Sequence, residues 1–412
     1  MRVLPCFCFL LSTLLWSPLT PAANPTSKEF AVPLQATPAS ARAKPRGPER
    51  VRTIKDDMTG EPALRARTAQ GAIAAVIGQR AAGCRMIRFK KGFGWVATGK
   101  ARYPATENPV ATRRTRQEAR FSAFLDARAR LADCLQNLTP EARQRIAEHL
   151  KTDDAIQLAL INLAANEQER RQQALKILAR GFVTYSSVED AANRTIDVNL
   201  VATPKTALRL TRPAAAAIET VALKEGSRQL LAEIKGRLIP PAGNRMIVVN
   251  ATGELALVGY AVNLIGTHPE PAAQEKLRAD AAKIATARAT EALMGLATGD
   301  DATWIASLDE VSQAEIRGAA SGYDDSEPSV RRFAQIRELA MSGIKDAAGL
   351  QALREGRLPL EATVKQFVGE DSVAVAVIYT PSVKQPEPVP AAQPPVPEPA
   401  TGGAQSAPAN IR

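Results

Sequence analysis

Ala82-Gly83-Cys84-Arg85-Met86-Ile87 returns 160 residues later as Ala242-Gly243-Asn244-Arg245-Met246-Ile247. The same ungapped offset pairs Gly99 with Gly259, Ala101 with Ala261, Pro109 with Pro269 and Ala119 with Ala279. It also sets Ala127-Arg128-Ala129 beside Ala287-Arg288-Ala289. A register held that far indicates two copies of one structural unit. Around the repeated hexapeptide the pattern is extended. Residues 85–89 and 95–103 read as strands joined by the turn residues Lys91-Gly92-Phe93-Gly94, and 245–250 with 255–265 repeat the hairpin across Ala251-Thr252-Gly253. Gly99 and Gly259 fall mid-strand, where glycine marks a bulge or a close backbone approach.

Working outward, a helix is expected before each hairpin, over 61–80 (Leu64, Ile73, Val76, Ile77) and 213–237, and a long one after it, over 112–135 and 271–296. Phe121, Phe124, Leu125, Leu131, Ala132 and Leu135 form one apolar stripe; Leu277, Ala281, Ile284, Ala285, Ala292 and Leu296 form the other. Arg128 and Arg288 fall on these stripes, so each guanidinium needs a carboxylate or carbonyl partner and is assigned a structural role. Further helices are expected over 140–150, 153–180, 302–320 and 329–341. Each copy then closes on a strand ending in Thr-Pro, 195–203 and 372–380, with hairpin partners at 182–186 and 362–368. About four strands and several helices per unit make an α+β fold: a tandem, duplicated small antiparallel sheet packed by long helices. The expected boundaries are a signal peptide at 1–23, a basic disordered linker at 24–60, units at 61–205 and 206–381, and a Pro-rich disordered tail at 382–412.

The N-terminus points to export. Arg2 precedes an apolar run to Trp16, and Pro18-Leu19-Thr20-Pro21-Ala22-Ala23 offers small residues for cleavage. Cys6 and Cys8 lie inside the run rather than in a lipidation box, and no later segment has the length of a spanning helix. The expected location is the periplasm or the exterior. Of the cysteines, Cys84 and Cys134 survive processing and are a disulfide candidate in an oxidising space. Against the bridge, a simple hairpin-then-helix arrangement puts the two at opposite ends of the layer, so both states stay open here.

The formal charge of +11 and pI of about 9.7 favour anionic partners. The basic residues concentrate in copy one: Arg85, Arg88, Lys90 and Lys91 on the hairpin, and Arg113, Arg114, Arg116 and Arg120 opening the long helix, where cations oppose the macrodipole. These are the candidate anion- or partner-binding residues. Nucleic acid is disfavoured by export and by the lack of clustered aromatics for base stacking. Catalytic signals are weak. The two histidines, His149 and His268, sit in different copies, and no nucleophile elbow, Walker loop or dinucleotide fingerprint is present. The pairs Asp153-Asp154, Asp300-Asp301 and Asp324-Asp325 lie where helix caps are expected. No catalytic, cofactor or metal residue is assigned.

The hairpin with its small-residue strand, followed by a long helix carrying Ala127-Arg128-Ala129 or Ala287-Arg288-Ala289, resembles the bacterial envelope lipoprotein and flagellar-accessory family over 82–135 and 242–296. That resemblance implies small α+β domains without catalysis in an envelope setting. The chain departs from the family by lacking a lipidation cysteine and by its additional helices. The expectation is an exported, non-enzymatic structural or assembly protein binding other protein subunits, with a homo-oligomer among the options. The alternatives are an adaptor for an anionic envelope polymer through the basic face of copy one, or a hydrolase using dispersed carboxylates.

Overall fold

The computed structural model describes residues 50–90, 92–151, 167–249, 251–321 and 327–383. The expected signal peptide, most of the linker and tail, Lys91, Asp153-Asp154 and Asp324-Asp325 lie outside them.

The described strands form two six-stranded sheets of identical topology, ordered β1-β2-β3-β4-β6-β5 and β7-β8-β9-β10-β12-β11. Unit 1 opens with β1 (Arg52–Lys55) and β2 (Pro62–Arg65), then α1 (Ala69–Gly78) and the hairpin β3 (Gly83–Phe89) and β4 (Gly92–Arg102). The long α2 (Pro109–Gln136), α3 (Pro140–Lys151) and α4 (Glu167–Arg180) follow, before the closing hairpin β5 (Phe182–Asp190) and β6 (Thr195–Ala202). After α5 (Pro204–Arg209), unit 2 repeats the plan: β7 (Leu210–Ala214), β8 (Ala217–Thr220), α6 (Leu223–Gly236), β9 (Ala242–Val249), β10 (Leu255–Leu264) and the long α7 (Pro271–Thr298). Then come α8 (Asp301–Ala306), α9 (Glu310–Ser321), α10 (Glu327–Ser342), α11 (Ala347–Arg354), β11 (Thr363–Val368) and β12 (Ser372–Tyr379).

Each sheet is larger than its sequence suggests. The stretches read as single helices, 61–80 and 213–237, each begin with strand. Leu64 pairs with Ile87 and Ile218 with Ile247 in parallel, so β2 and β8 extend the sheets before α1 and α6 begin. Helical spacing of a few apolar residues cannot be told from short buried strands, and strand pairing won. Thr68 caps α1 by accepting from the Gly71 amide, which fixes the later start.

Met86 and Met246 occupy matching places. Both are buried, Met86 among Ala123, Ala127 and Leu131 of α2, Met246 among Ala285, Ala289 and Leu293 of α7. The ungapped register nevertheless ends at the hairpin tip. Met86 pairs with Trp95 and Met246 with Leu257, so the offset is 160 on the first strand (86 to 246) but 162 on the second (95 to 257). Two residues separate Phe89 from its partner Gly92, while four separate Val249 from Glu254. Beyond the tip Pro109 therefore matches Pro271, each in the first turn of its helix, and not Pro269. Gly99 matches Ala261, and Gly259 matches Ala97.

Both glycines still do one job. A Cβ on Gly99 would overlap Ala123 O and Ala127 N, and one on Gly259 would overlap Ala289 O and Leu293 N. In unit 2 the closest approach has slid two residues toward the hairpin tip, ~7 Å of strand, and one turn along the helix, ~6 Å. The stripes adjust accordingly. Ala281, Ala285, Ala289 and Ala292 are buried, whereas Ile284, expected on the stripe, is exposed.

The opposite faces of the two sheets share one core. Ile73, Ile87, Val96 and Val201 of unit 1 join Ile218, Ile234, Ile247 and Val258 of unit 2 in a single cluster. Helix α6 makes this possible by packing on its own sheet and on β5 of unit 1. No described helix is long and apolar enough to cross a membrane.

Substituting Gly99 or Gly259 by Val should lower stability by about 3 kcal/mol or more, since neither backbone neighbour can retreat. Gly78→Ala, at a position with open space, should instead be neutral or stabilising by about 0.5–1 kcal/mol. Urea unfolding of the three variants compares them directly.

Candidate functional site

Helix α2 starts where Asn108 accepts from the Val110 and Ala111 amides, with Pro109 in its first turn. This places its arginines at the seam between the units, and there they are consumed. Arg113 donates from Nη1 to the Ile265 carbonyl at 3.0 Å. Arg114 donates to Glu118 at 3.0 Å and lies 3.8 Å from Asp309. Arg116 lies 3.1 Å from Glu189 Oε1 and 3.6 Å from Asp371 Oδ2, with its guanidinium over the Tyr103 ring. Arg120 holds the other Glu189 oxygen at 2.6 Å. Asp371, in the turn between β11 and β12, pairs with Arg237 at 2.5 Å. Three of the eight candidate cations, Arg113, Arg116 and Arg120, are thus clamps between unit 1 and unit 2 or between helix and strand, while Arg114 stays exposed beside Glu118 of its own helix. Arg88 is engaged too, by Asp56 and Asp57. Arg85 and Lys90 are exposed on the hairpin.

The physical reason is compensation. Cations at a helix start are unfavourable unless carboxylates from other elements meet them, and Glu189 and Asp371 come from β5 and from the β11–β12 turn. Burial works against the Asp371 charge, but Arg237, Arg120 and Arg116 outweigh it and hold the carboxyl below its usual range. Burial likewise opposes the Arg116 charge, yet Glu189, Tyr103 and Asp371 raise its pKa. Tyr103 donates to Glu189 at 2.8 Å, and burial together with that bond pushes the phenol up.

A second clamp closes the seam on the α6 side. Arg212 of β7 donates to the Phe182 carbonyl on the outer edge of β5 at 2.6 Å and to Glu233 at 2.5 Å. Thr184 and Gln229 donate to the same Glu233 oxygen at 2.9 and 2.8 Å. Arg212, Gln229 and Glu233 are all buried. No sequence motif marked these residues, because their partners lie on other elements.

Arg128 and Arg288 prove not to be equivalents: the hairpin insertion matches Arg128 with Thr290 and Arg288 with Asp126. Arg128 is half-buried beside the Phe124 ring, near Arg212 and Glu233. Arg288 lines a different cavity with Arg114 and Asp309. Asp300 caps α8 through the Thr303 amide, and Asp301 accepts from the Trp304 indole.

Cys84 and Cys134 are joined in a disulfide with Cα atoms 6.1 Å apart. The objection to it assumed that helix and strand lie end to end. Instead α2 runs back over the hairpin after passing Gly99 and reaches β3 in its last turns. Asn244 stands where unit 2 would have the first cysteine. Its amide donates to the Ala292 carbonyl of α7 at 3.1 Å and to Asp301 at 2.7 Å, a hydrogen-bonded version of the same strand-to-helix tie.

With the arginines engaged, the edges of the sheets remain. The edge of β5 is met by β7 and α6. Its counterpart β11 ends sheet 2 and, among the described residues, pairs only with β12. Glu189 faces Ile196 while Val368 faces Val373; Thr184 faces Leu200 while Val364 faces Val377. The closing strands are offset by 177 (196 to 373, 200 to 377), so Glu189 corresponds to Val368 and Thr184 to Val364. The two positions that carry polar seam contacts in unit 1 are valines in unit 2, exposed at 50% and 41%, beside the fully exposed Leu360.

No family model matches the sequence, and no curated protein matches it. A crystal structure of a hypothetical protein from Francisella tularensis is similar at 13% identity over 70% of this chain and 83% of that one, with a TM-score of 0.21. At that level the likeness carries no argument about fold or function.

Asp371→Asn should cost about 3–5 kcal/mol by leaving Arg237 buried without a counter-charge. Because the folded-state pKa lies below the unfolded value of ~3.9, this contribution is complete above that value and disappears as pH falls through the depressed one. Acid titration of stability should therefore be flatter in the variant. Replacing both Cys84 and Cys134 by Ser should cost about 4 kcal/mol for a loop of this length, measured as the shift in urea midpoint against the oxidised wild type.

Proposed function

We propose that the protein is an exported, non-enzymatic structural or assembly protein of the bacterial cell envelope, and that the free edge of sheet 2 receives an extended segment of another protein subunit. Export rests on the N-terminal sequence, and the envelope setting on the resemblance described above. The observation that carries the reading is the contrast between β5 and β11. An unpaired edge offers a row of amides and carbonyls that another strand can satisfy. In unit 1 that position is closed within the chain by β7 and α6. In unit 2 it is open, and its polar anchors are replaced by Val364 and Val368 with Leu358 and Leu360 alongside.

This chemistry selects the occupant. A second copy docking by the internal seam would bring no partner for its buried Arg and Glu, since β11 lacks the Thr and Glu that serve them. Two β11 strands pairing with each other in a register centred on Lys365 would bring two Lys365 side chains together, which is unfavourable. An extended segment with apolar side chains at alternate positions fits both constraints. The polymer-adaptor alternative is weakened because Arg113, Arg116 and Arg120 are taken up at the seam and Arg88 by Asp56 and Asp57.

A photo-cross-linker placed at Val364 or Val368 should give adducts with a single partner polypeptide in the envelope, and one at the exposed Ile284 should give none. With the cross-linker at one of these positions, replacing the other valine by Glu should abolish the adducts without shifting the melting temperature by more than about 1 °C. Adducts to a second copy of this chain, or none, would overturn the reading.

A further inference from the structure

Between α2 and unit 2 lies a cavity of about 240 Å³, lined from one side by Arg114, Gln117 and Glu118 and from the other by Arg288, Asp309 and Glu315. It has room for roughly eight waters at ~30 Å³ each, or for one small organic molecule of that bulk. Its polar groups are unevenly satisfied. Arg114 and Glu118 hold one another. Asp309 accepts from both the amide and the hydroxyl of Ser312. The Gln117 Oε1 atom is fully enclosed and has no hydrogen-bond partner among the described residues, and the half-buried Arg288 guanidinium and Glu315 carboxyl face the same space. Native interiors satisfy nearly all such groups. An enclosed acceptor left unpaired in a cavity that also presents a guanidinium and carboxyls marks a place where a ligand supplies the missing bond.

We propose that this cavity binds a small zwitterion, a free amino acid or a dipeptide. Its carboxylate meets Arg288, and its ammonium meets Gln117 Oε1 and the Glu118 and Glu315 carboxyls. The charge count selects this class. Arg114 and Arg288 balance Glu118 and Asp309, leaving Glu315 as the adjustable group. A compact dianion such as phosphate would face three acids, and a dication would face two guanidiniums. A molecule carrying one charge of each sign meets a group of opposite sign at both of its ends.

Glu315 adds a signature. Burial and the neighbouring Glu118 and Asp309 push its carboxyl up to about 7, against the pull of Arg114. The charged groups facing it are Arg114 and Glu118 on α2, Asp309 ahead of α9, and Arg288 on α7. An arriving ammonium favours the ionised form, so binding at pH 7 releases a fraction of a proton.

Calorimetry on the purified protein tests this with glycine, L-alanine, L-glutamine and glycylglycine as probes, and with acetate and ethylammonium as single-charge controls. At least one zwitterion should bind at least tenfold tighter than either control, with the better of the amino acids and the dipeptide identifying the source. In buffers of different ionisation enthalpy, its binding at pH 7 should show proton release. Arg288→Gln should weaken it at least tenfold. Glu315→Gln should weaken binding less than Arg288→Gln does and abolish the proton release, and an unchanged melting temperature in both variants separates a site effect from a folding defect. Absence of binding by every zwitterion, acetate binding as tightly as the best of them, or an unchanged affinity in Arg288→Gln would each overturn the proposal.

Discussion

The backbone of each long helix touches the backbone of the strand beneath it, and the remainder of each unit is arranged around that contact. Side chains usually hold a helix and a sheet about 10 Å apart. Here a glycine in the strand and alanines along the helix remove that spacer. A chain with aromatics at only 4% has few large groups with which to fill a wide gap, so close approach is how it reaches native packing density. Small residues placed for contact also explain why apolar spacing along α7 is weakly amphipathic to the eye: its buried face is largely alanine, and a larger residue such as Ile284 sits outside it.

That same contact tolerates sliding. Two extra residues at the hairpin tip of unit 2 move β10 past its counterpart. The helix follows by one turn, because two strand residues and four helical ones cover nearly equal distances. Both pairings of glycine with helix backbone survive although neither glycine corresponds to the other. Identical letters at one offset thus give the right architecture and a wrong alignment beyond Phe89.

The duplicated α+β plan and the long helices were legible because they depend on local pattern and on repetition. The strands β2 and β8 were not, since four apolar-rich residues are compatible with either helix or strand until a pairing partner is known, and β1 (Arg52–Lys55) fell in the basic stretch expected to be a linker. The arginines at the start of α2 were legible as an anomaly against the helix dipole, but their meaning was not. Glu189 and Asp371, which resolve it, lie on β5 and in the β11–β12 turn, and sequence distance hides both. Arg212 and Glu233 carried no signal, because a buried ion pair across two units has no spacing to recognise.

Duplication ordinarily leaves two copies with the same exposed surfaces, and here the copies have divided the work. Unit 1 spends the polar residues of its closing edge on holding unit 2: Thr184 through Glu233, and Glu189 through Arg116 and Arg120. Among the described residues no further unit packs on the closing edge of unit 2. Relaxed selection for seam contacts would leave ordinary solvent-facing polar residues at these two positions. Valines exposed on an unpaired edge strand carry a standing aggregation risk, and a lysine between them is the kind of residue that limits self-pairing. Apolar side chains on such an edge, with a lysine beside them, are the observation on which the proposed docking of a partner segment rests. The seam that joins the units and the edge that lacks one are therefore two outcomes of a single inherited strand position.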